Sequence, residues 1–183
     1  MIKKILIALA VFLVVVVGAI AALIMFVPTN YAVERETVVN KPIGDVFAYV
    51  KILKNQNEWG PWVKRDPKIK LTSEGTDGTV GYISRWDSED VNVGAGEQEI
   101  TKIEEGKRID YKLRFKKPFE SESDSYVTTE AVGADKTKVK WGFTGEMPRP
   151  MNLMLLFVDM DAEVGKDFDA GLSNLKSIVE KGG

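Results

Sequence analysis

The sequence of 183 residues contains no cysteine and no histidine. Zinc sites are built largely from these two residue types, and thiol nucleophiles and histidine-based triads require them directly. Enzymes of those classes are therefore excluded. Without cysteine no disulfide can stabilise the chain, so its fold depends on a hydrophobic core. A domain of about 150 residues buries about 70% of the surface of its unfolded chain, which is sufficient.

The sequence also has little net charge, with a formal value of -2. Two of the basic residues, Lys3 and Lys4, lie at the start, so residues 28–183 carry 23 basic residues against 27 acidic ones, a net charge of -4. No basic cluster interleaved with aromatic residues occurs. Because affinity for nucleic acid comes from neutralising phosphates, we predict no nucleic-acid partner.

One long apolar run is present, from Ile5 to Val27, and Gly18 is its one residue that is not apolar. As a helix it is roughly 35 Å long, enough to cross a bilayer. A cleaved signal peptide is the alternative, with Ala19-Ile20-Ala21 as the cleavage site, but signal cores usually end after about 7–15 residues. We predict an uncleaved anchor over residues 1–27.

The position of Lys3 and Lys4 predicts the sidedness of this anchor. Basic residues favour the cytosolic side, and no other occurs before Arg35. We therefore expect a single-pass protein of the cell (inner) membrane, with a cytosolic N-terminus. Residues 28–183 would form one periplasmic or extracellular domain, since no repeat or long linker divides them.

The sequence of the first part of this domain predicts a strand followed by helices. Tyr31–Val39 is rich in β-branched residues. Asn40 before Pro42 is a helix-start signal, and apolar residues then recur at helical spacing from Ile43 to Val50. A second short helical turn is expected over Leu53–Trp59, ended by Gly60-Pro61.

From Lys68 onward the apolar period changes to two, which predicts an antiparallel meander punctuated by glycine-containing turns. One face of each strand is expected to be buried, as in the alternation of Ile109, Tyr111, Leu113 and Phe115. Ile100 and Ile103 have opposite parity, which predicts a bulge near Gly94–Gly96 or an early strand end. The predicted strands are Ile69–Glu74, Thr79–Trp86, Glu97–Ile103, Lys107–Phe115, Tyr126–Val132 and Thr137–Gly145.

After Pro150 the helical period returns and continues to Lys181, which predicts a helix of roughly 30 residues and about 45 Å. It should lie across the apolar face of the sheet, and Gly165 and Gly171 should mark close approach or a bend. Its apolar stripe comprises Leu153, Phe157, Met160, Val164, Phe168, Leu172, Leu175 and Val179.

Several short segments occur along the chain in this order of elements: Asn40-Lys41-Pro42, Val46–Val50, Trp59-Gly60-Pro61-Trp62, Gly94–Gln98, Arg108–Tyr111, Pro118–Ser121 and Gly171–Lys176. Together they resemble the SRPBCC superfamily of START-like, helix-grip proteins. They are similar in particular to its bacterial polyketide cyclase/dehydratase branch, over about Tyr31 to Glu180. The resemblance implies an α+β fold in which a curved antiparallel sheet grips the long C-terminal helix around an apolar cavity, here preceded by a transmembrane helix. It implies no invariant catalytic motif.

Aromatic side chains are the candidates for lining such a cavity, because flat rings suit a ring-bearing or acyl ligand. The alternative for each is a place in an ordinary packed core. The helix residues Phe168 and Leu172 lie mid-stripe and should face Tyr111 or Trp141. The predicted ligand-binding residues are Trp59, Trp62, Trp86, Tyr111, Trp141, Phe143, Phe168 and Leu172.

Ionisable residues offer weaker candidates. Glu97 and Glu99, two apart in a strand, would lie roughly 6–7 Å apart, a spacing compatible with acid–base work, but a solvated strand face explains them better. Arg114 with Glu122 could anchor a ligand or form an exposed cross-strand pair.

The acidic run from Asp159 to Asp169 fails the EF-hand pattern. Its sixth and twelfth positions, Val164 and Ala170, are not the required glycine and glutamate. We predict no metal site and no cofactor.

Three functions follow, of which the leading one is a membrane-anchored domain that binds or transfers a hydrophobic small molecule or lipid. The second is a cyclase- or dehydratase-like enzyme in which Tyr111, Tyr126, Glu97, Glu99 or a lysine acts as acid or base, which requires a buried ionisable group facing the cavity. The third is a structural or partner-binding module with a filled core.

The segment Met151–Val158 is almost wholly apolar, more than one helical face can bury. The tether from Val27 to Tyr31 spans at most about 14 Å, so the domain must lie close to the bilayer. We predict that Met154, Leu155 and Val158 touch the membrane and form part of a portal for a lipid-like ligand. Alternatively, the two short helices cover them.

Overall fold

The N-terminal apolar run forms a 25-residue helix, α1 (Ile2–Phe26), in the computed structural model of the chain, which describes residues 1–182. No residue of α1 is buried. The helix is long and apolar enough to cross a membrane. The predicted spanning element is therefore present as a helix.

The sheet has seven strands in the order β1-β7-β6-β5-β4-β3-β2, and every neighbouring pair is antiparallel. The predicted meander runs from β2 to β7, and β1 pairs with β7. Two boundaries differ from prediction by four or more residues, since β3 begins at Ile83 rather than Thr79, and β6 begins at Ser121 rather than Tyr126. The strands are β1 (Asn30–Val39), β2 (Lys70–Glu74), β3 (Ile83–Asp87), β4 (Ala95–Glu104), β5 (Arg108–Lys117), β6 (Ser121–Gly133) and β7 (Lys136–Glu146).

An irregularity in β4 explains the opposite parity of Ile100 and Ile103. The pairing with β5 shifts between Ile100 and Lys102, so Thr101 is the extra residue of a bulge. A second shift lies between Ala95 and Gly96, near the predicted position. The parity change itself comes from the bulge at Thr101, further along the strand than predicted.

Short helical elements connect β1 to β2. Helix α2 (Ile43–Lys51) buries Val46, Phe47 and Val50. A 3-10 turn over Leu53–Asn55 leads into α3 (Gln56–Trp59), which ends at Gly60 as predicted, and α4 (Trp62–Arg65) follows.

The long C-terminal helix, α5 (Met160–Lys181), has 22 residues, or about 33 Å. The predicted start near Pro150 is wrong, because a separate 3-10 turn (Met151–Leu156) precedes α5. The Asp159 side chain accepts a hydrogen bond from the Ala162 N–H and caps the new helix. Phe157, assigned to the buried stripe from the sequence, is 86% exposed because it lies between the two elements.

The core lies between α5, α2 and the inner face of the sheet. As predicted, two glycines of α5 mark its close approach to the sheet. A Cβ at Gly171 would lie 2.8 Å from the Trp141 ring, and one at Gly165 would lie 2.0 Å from the Arg35 guanidinium. The absence of these side chains lets α5 lie close to β7 and β1.

Candidate functional site

A cavity of about 540 Å³ lies between the inner face of the sheet, the short helices α3 and α4, and the N-terminal half of α5. Its walls come from strands β1 to β7 and from the turn between β5 and β6. Aromatic rings make up much of the wall, and aliphatic side chains such as Leu71, Leu113 and Val164 fill the spaces between them. The aromatic lining residues are Tyr31, Trp62, Trp86, Phe115, Phe119, Trp141, Phe143 and Phe168.

The structure divides the predicted ligand-binding residues into two groups. Trp62, Trp86, Trp141, Phe143 and Phe168 line the cavity. The other three, Trp59, Tyr111 and Leu172, are buried in the packed core next to it.

Trp141 connects the two groups. Its ring stacks on Phe168, with centroids 3.9 Å apart and an interplanar angle of 3°, as the predicted contact between the helix stripe and the sheet requires. The Trp59 ring meets Trp141 edge-on at 4.8 Å, and Trp62 does so at 5.6 Å. Such aromatic contacts fix the ring positions, so this wall of the cavity is rigid.

The cavity opens at one end of the sheet. Antiparallel pairing places Asn30 opposite Glu146 and Ala95 opposite Lys117, so the starts of β1 and β4 lie with the ends of β7 and β5. Most exposed residues that line the cavity lie at this end, which we call the open end. They are Lys117, Pro118, Phe119, Ser121 and Glu146.

The end of α1 is attached to the open end by hydrogen bonds. The Asn152 amide is fully buried and donates to the carbonyl oxygens of Ile24 (3.0 Å) and Val27 (2.9 Å). The Arg149 guanidinium donates to the carbonyls of Ile24 and Met25 at 2.8 and 3.1 Å. The last carbonyls of a helix have no partner within it, and these side chains supply one.

Apolar side chains are exposed around the same end. Phe157 and Phe119 are 86% and 72% exposed. Of the three predicted membrane-contact residues, Met154 is half exposed at 50%, while Leu155 and Val158 are partly buried. The other exposed apolar side chains here are Val91, Met151 and Leu156.

A row of uncharged polar side chains crosses the cavity floor. The strand pairing aligns Ser84 with Gln98, Gln98 with Leu113, and Leu113 with Ser123. All four residues line the cavity, and Gln98 and Ser123 are each only 8% exposed. The row lies one step further from the open end than the aromatic row of Trp86 and Phe115.

Charged side chains that line the cavity lie away from this floor. Lys117, at the open end, donates a hydrogen bond to Asp87 at 3.0 Å. Asp167, on α5, forms an ion pair with Arg65 of α4. Burial raises the pKa of the Tyr31 phenol and, more strongly, that of Tyr111, which does not line the cavity.

Glu97 and Glu99 lie on the outer face of the sheet, as predicted, but they are not simply solvated. Arg114 pairs with both carboxylates, and Arg85 and Lys116 also pair with Glu97. Desolvation is the largest single influence on the Glu97 carboxyl and raises its pKa, but hydrogen bonds from Arg85 and Lys116 together outweigh it and keep the pKa below the usual range. Glu97 is therefore an anion that faces away from the cavity.

The candidate acids and anchors that remain also lie on the outer face. The Tyr126 hydroxyl donates to the Glu34 carboxylate, and the Arg108 guanidinium lies 4.1 Å from the centroid of the Tyr126 ring. Arg114 and Glu122 form the exposed cross-strand pair, with 3.9 Å between nitrogen and oxygen.

The acidic residues of α5 attach the helix to its neighbours. Arg35 of β1 crosses the helix at Gly165 and donates to both Asp161 and Asp169. Within residues 1–182, no group of three or more acidic side chains is arranged to hold a metal ion.

Sequence reasoning missed the polar floor of the cavity. The alternation of Ser121, Ser123 and Ser125 on one face of β6 was the available signal, because small hydroxyl residues on an inward face leave room rather than fill it. Gln98 carried no such signal on its own.

The comparisons with known proteins agree with this architecture. A family described as polyketide cyclase / dehydrase and lipid transport matches residues 31–180. No match was found among curated proteins.

Solved structures with the same fold include a protein from Thermobifida fusca, with a TM-score of 0.61, 17% identity, and coverage of 82% of this chain and 93% of that one. A protein from Nitrosospira multiformis gives a TM-score of 0.57 at 18% identity, covering 80% and 94% of the two chains. The protein Ara h 8.0201 gives 0.56 at 16% identity, covering 83% and 99%. At these identities the likeness shows the fold alone.

Proposed function

Since the chain belongs to the polyketide cyclase / dehydrase and lipid transport family, we propose that it binds or transfers a hydrophobic small molecule or lipid while anchored in a membrane. Residues 28–183 form the binding domain in this proposal, and residues 1–27 form the anchor. The observation that carries it is the cavity of about 540 Å³, which is lined by aromatic rings and opens at the end where α1 stops. Cavities of about 300–1,000 Å³ with mostly apolar walls are typical of sites for small molecules.

The distribution of ionisable groups favours binding over acid–base chemistry. A catalytic acid or base at neutral pH needs a perturbed carboxyl or lysine facing the substrate. Here Glu97, Glu99 and Tyr126 lie on the outer face of the sheet, and the lining residues Lys117 and Asp167 are held in ion pairs. The remaining charged lining residue, Glu146, is exposed at the open end.

The exposed apolar side chains around the open end support membrane contact by the domain itself. We include Met154, Leu155 and Val158 in the contact, as the sequence suggests, together with Phe119 and Phe157. Phe119 lines the cavity and is also exposed, so a molecule leaving the bilayer would meet it at the opening.

The test is uptake of a neutral hydrophobic dye, N-phenyl-1-naphthylamine, by the full chain in nanodiscs, with empty nanodiscs subtracted. Ser121→Trp places a large ring in the open end and should reduce the dye signal at least about fivefold. Glu122→Trp is the matched control, since it makes the same addition on the outer face one residue away. Equal uptake by both variants, or none by the wild type, would contradict the proposal.

A further inference from the structure

We infer that the cavity recognises an uncharged hydrogen-bonding group, a hydroxyl or a carbonyl, on an otherwise apolar molecule, through Gln98 and Ser123. This inference rests on the proposed function and specifies the ligand class of the same site. It comes from the row of side chains on the cavity floor.

Gln98 and Ser123 are buried polar side chains without protein partners. Both are more than nine-tenths buried and face the cavity. Among the contacts of residues 1–182, neither the Gln98 amide nor the Ser123 hydroxyl forms a hydrogen bond with another group of the protein. Their polar atoms are not among the fully enclosed side-chain atoms that lack a partner, so they reach the space of the cavity. Buried polar groups in native proteins are nearly always hydrogen-bonded, so these two take their partner from within the cavity, either water or a bound molecule.

Ser125 supplies the internal comparison. It lies on the same strand and the same face as Ser123 and also lines the cavity. Its hydroxyl donates to the Gly142 carbonyl at 2.8 Å. A polar side chain that lines the cavity can therefore be satisfied within the protein, as that of Ser125 is, whereas those of Ser123 and Gln98 are not.

The two side chains border the same part of the cavity. Gln98 and Ser123 lie in the same row on β4 and β6, and the apolar side chain of Leu113 on β5 lies between them. Adjacent strands are about 4.8 Å apart, so the two Cα atoms are about 10 Å apart, and both side chains extend toward the cavity. Ser84 continues the row on β3 and is a third hydrogen-bonding residue.

The chemistry of the row selects a neutral group. An amide and a hydroxyl both donate and accept, so they can bind a hydroxyl or a carbonyl oxygen. No cationic side chain lies on this floor, because Lys117 is at the open end and pairs with Asp87. A carboxylate or phosphate placed there would lose its hydration without gaining a counter-charge, which is unfavourable.

The position of the row also predicts the orientation of the bound molecule. From the open end inward, Phe119 comes first, then Trp86 and Phe115, and then Gln98 with Ser123. Beyond the row, Ile100 and Tyr111 close the cavity on β4 and β5, and on β6 the next residue is Ser125, whose hydroxyl is already bonded to the Gly142 carbonyl. The polar group is therefore innermost, and the apolar chain points toward the open end.

The experiment measures displacement of N-phenyl-1-naphthylamine from the full chain in nanodiscs by four probes of equal chain length. These are dodecane, 1-dodecanol, 2-dodecanone, and dodecanoate at pH 9. Displacement by each probe is compared between wild type and variant in the same lipid, so that partition into the bilayer is common to both. The variants are Gln98→Leu and Ser123→Ala, and Ser125→Ala is the matched control.

Gln98→Leu should weaken displacement by 1-dodecanol and 2-dodecanone about 3–10-fold, the loss expected for one hydrogen bond. It should leave dodecane unchanged or make it more effective. Ser123→Ala should act in the same direction, and Ser125→Ala should not change the preference. A ketone can only accept a hydrogen bond, so loss of 2-dodecanone displacement in Gln98→Leu shows that the protein supplies the donor.

Dye binding by the wild type with identical displacement by dodecane and dodecanol, unchanged in Gln98→Leu, would overturn this inference and leave the proposed function intact. Preference for dodecanoate would also overturn it. Absence of dye binding by the folded wild type would refute the proposed function itself. If Gln98→Leu fails to fold, Gln98→Met and Ser123→Ala provide the same comparison.

Discussion

Phe168 illustrates how one residue serves both the core and the cavity. It is 3% exposed, stacks on Trp141 and also lines the cavity. We expect Phe168→Ala to lower the free energy of unfolding by about 3 kcal/mol, the lower end of the usual range, because part of the ring already borders open volume.

Urea unfolding of the full chain in detergent micelles, followed by tryptophan fluorescence, measures this loss. Phe119→Ala is the control and should have little effect, since Phe119 is 72% exposed. A loss well under about 1 kcal/mol for Phe168→Ala would mean that the stacked ring contributes little to packing and that the cavity extends beneath it.

Asp161 gives the fold a predictable response to acid. The hydrogen bond from Arg35 lowers the pKa of the Asp161 carboxyl, so the unfolded chain binds this proton more readily than the folded one. The stabilisation is complete above the ordinary aspartate pKa of about 4 and is lost as pH falls through the lowered value. The advantage of wild type over Asp161→Asn should therefore shrink as pH falls from about 5 toward 2.

Chemical unfolding at a series of pH values tests this response. Asp135→Asn, in the exposed turn between β6 and β7, is the control and should give a profile parallel to that of wild type. A constant difference between wild type and Asp161→Asn across this range would contradict the role of the Arg35 contact.

At the scale of elements, α5 depends on its glycines for its distance from the sheet. Alanine at Gly171 would place its Cβ 2.8 Å from Trp141, whose ring is held by contacts with Phe168, Trp59 and Trp62. We expect Gly171→Ala to destabilise the protein by about 1–3 kcal/mol, although alanine is the better helix former.

Gly44→Ala in α2 is the matched control, because nothing lies within 4 Å of its added Cβ. It should be neutral or stabilising by about 0.5 kcal/mol. Thermal unfolding of both variants decides the matter, and stabilisation by Gly171→Ala would show that α5 can move away from the sheet.

The types of the helices and strands could be predicted from local sequence patterns, whereas the start of α5 could not. The apolar residues Leu153 and Phe157 continue the period of α5, so the sequence predicts a single helix. The side chain of Asp159 interrupts it by capping a new one. The helical spacing of apolar residues favours one continuous helix, and the Asp159 cap favours a new start. Hydrogen bonds from Asn152 to the end of α1, which is distant in sequence, hold the preceding segment as a separate turn.

The cavity wall was partly predictable, and its floor was not. Aromatic residues such as Trp86 and Trp141 are recognisable from composition and strand parity alone. The alignment of Gln98 with Ser123 depends on the pairing of β4, β5 and β6, and a bulge at Thr101 alters that pairing. Because register is set by contacts between distant segments, one strand cannot reveal its partners.

At the scale of the whole molecule, the proposed anchor predicts where the C-terminus lies. A reporter enzyme fused after Gly183 should be active outside the cytosol, and the protein should stay in the membrane fraction after carbonate washing, if α1, which is long and apolar enough to cross a membrane, is the anchor that we propose. A soluble product beginning near Ala22 would instead identify the N-terminal segment as a signal peptide.

The absence of cysteine allows the proposed membrane contact of the open end to be tested with a single label. A nitrobenzoxadiazole label on Phe157→Cys should emit at shorter wavelength in nanodiscs and be quenched by lipids with spin-labelled acyl chains. Val80→Cys is the control, since Val80 is 60% exposed in the connection between β2 and β3, at the opposite end of the sheet. Equal quenching at the two sites would exclude a preferred contact.

The placement of the aromatic wall has an optical consequence for the molecule. Of its four tryptophans, Trp62, Trp86 and Trp141 line the cavity, and Trp59 lies 4.8 Å from Trp141. None lies on α1. The tryptophan emission of the protein, excited selectively at about 295 nm, therefore originates at the cavity and its immediate surroundings. Any occupant that absorbs or quenches near-ultraviolet light will change that emission, so the native chain reports occupation of its cavity without an added fluorophore.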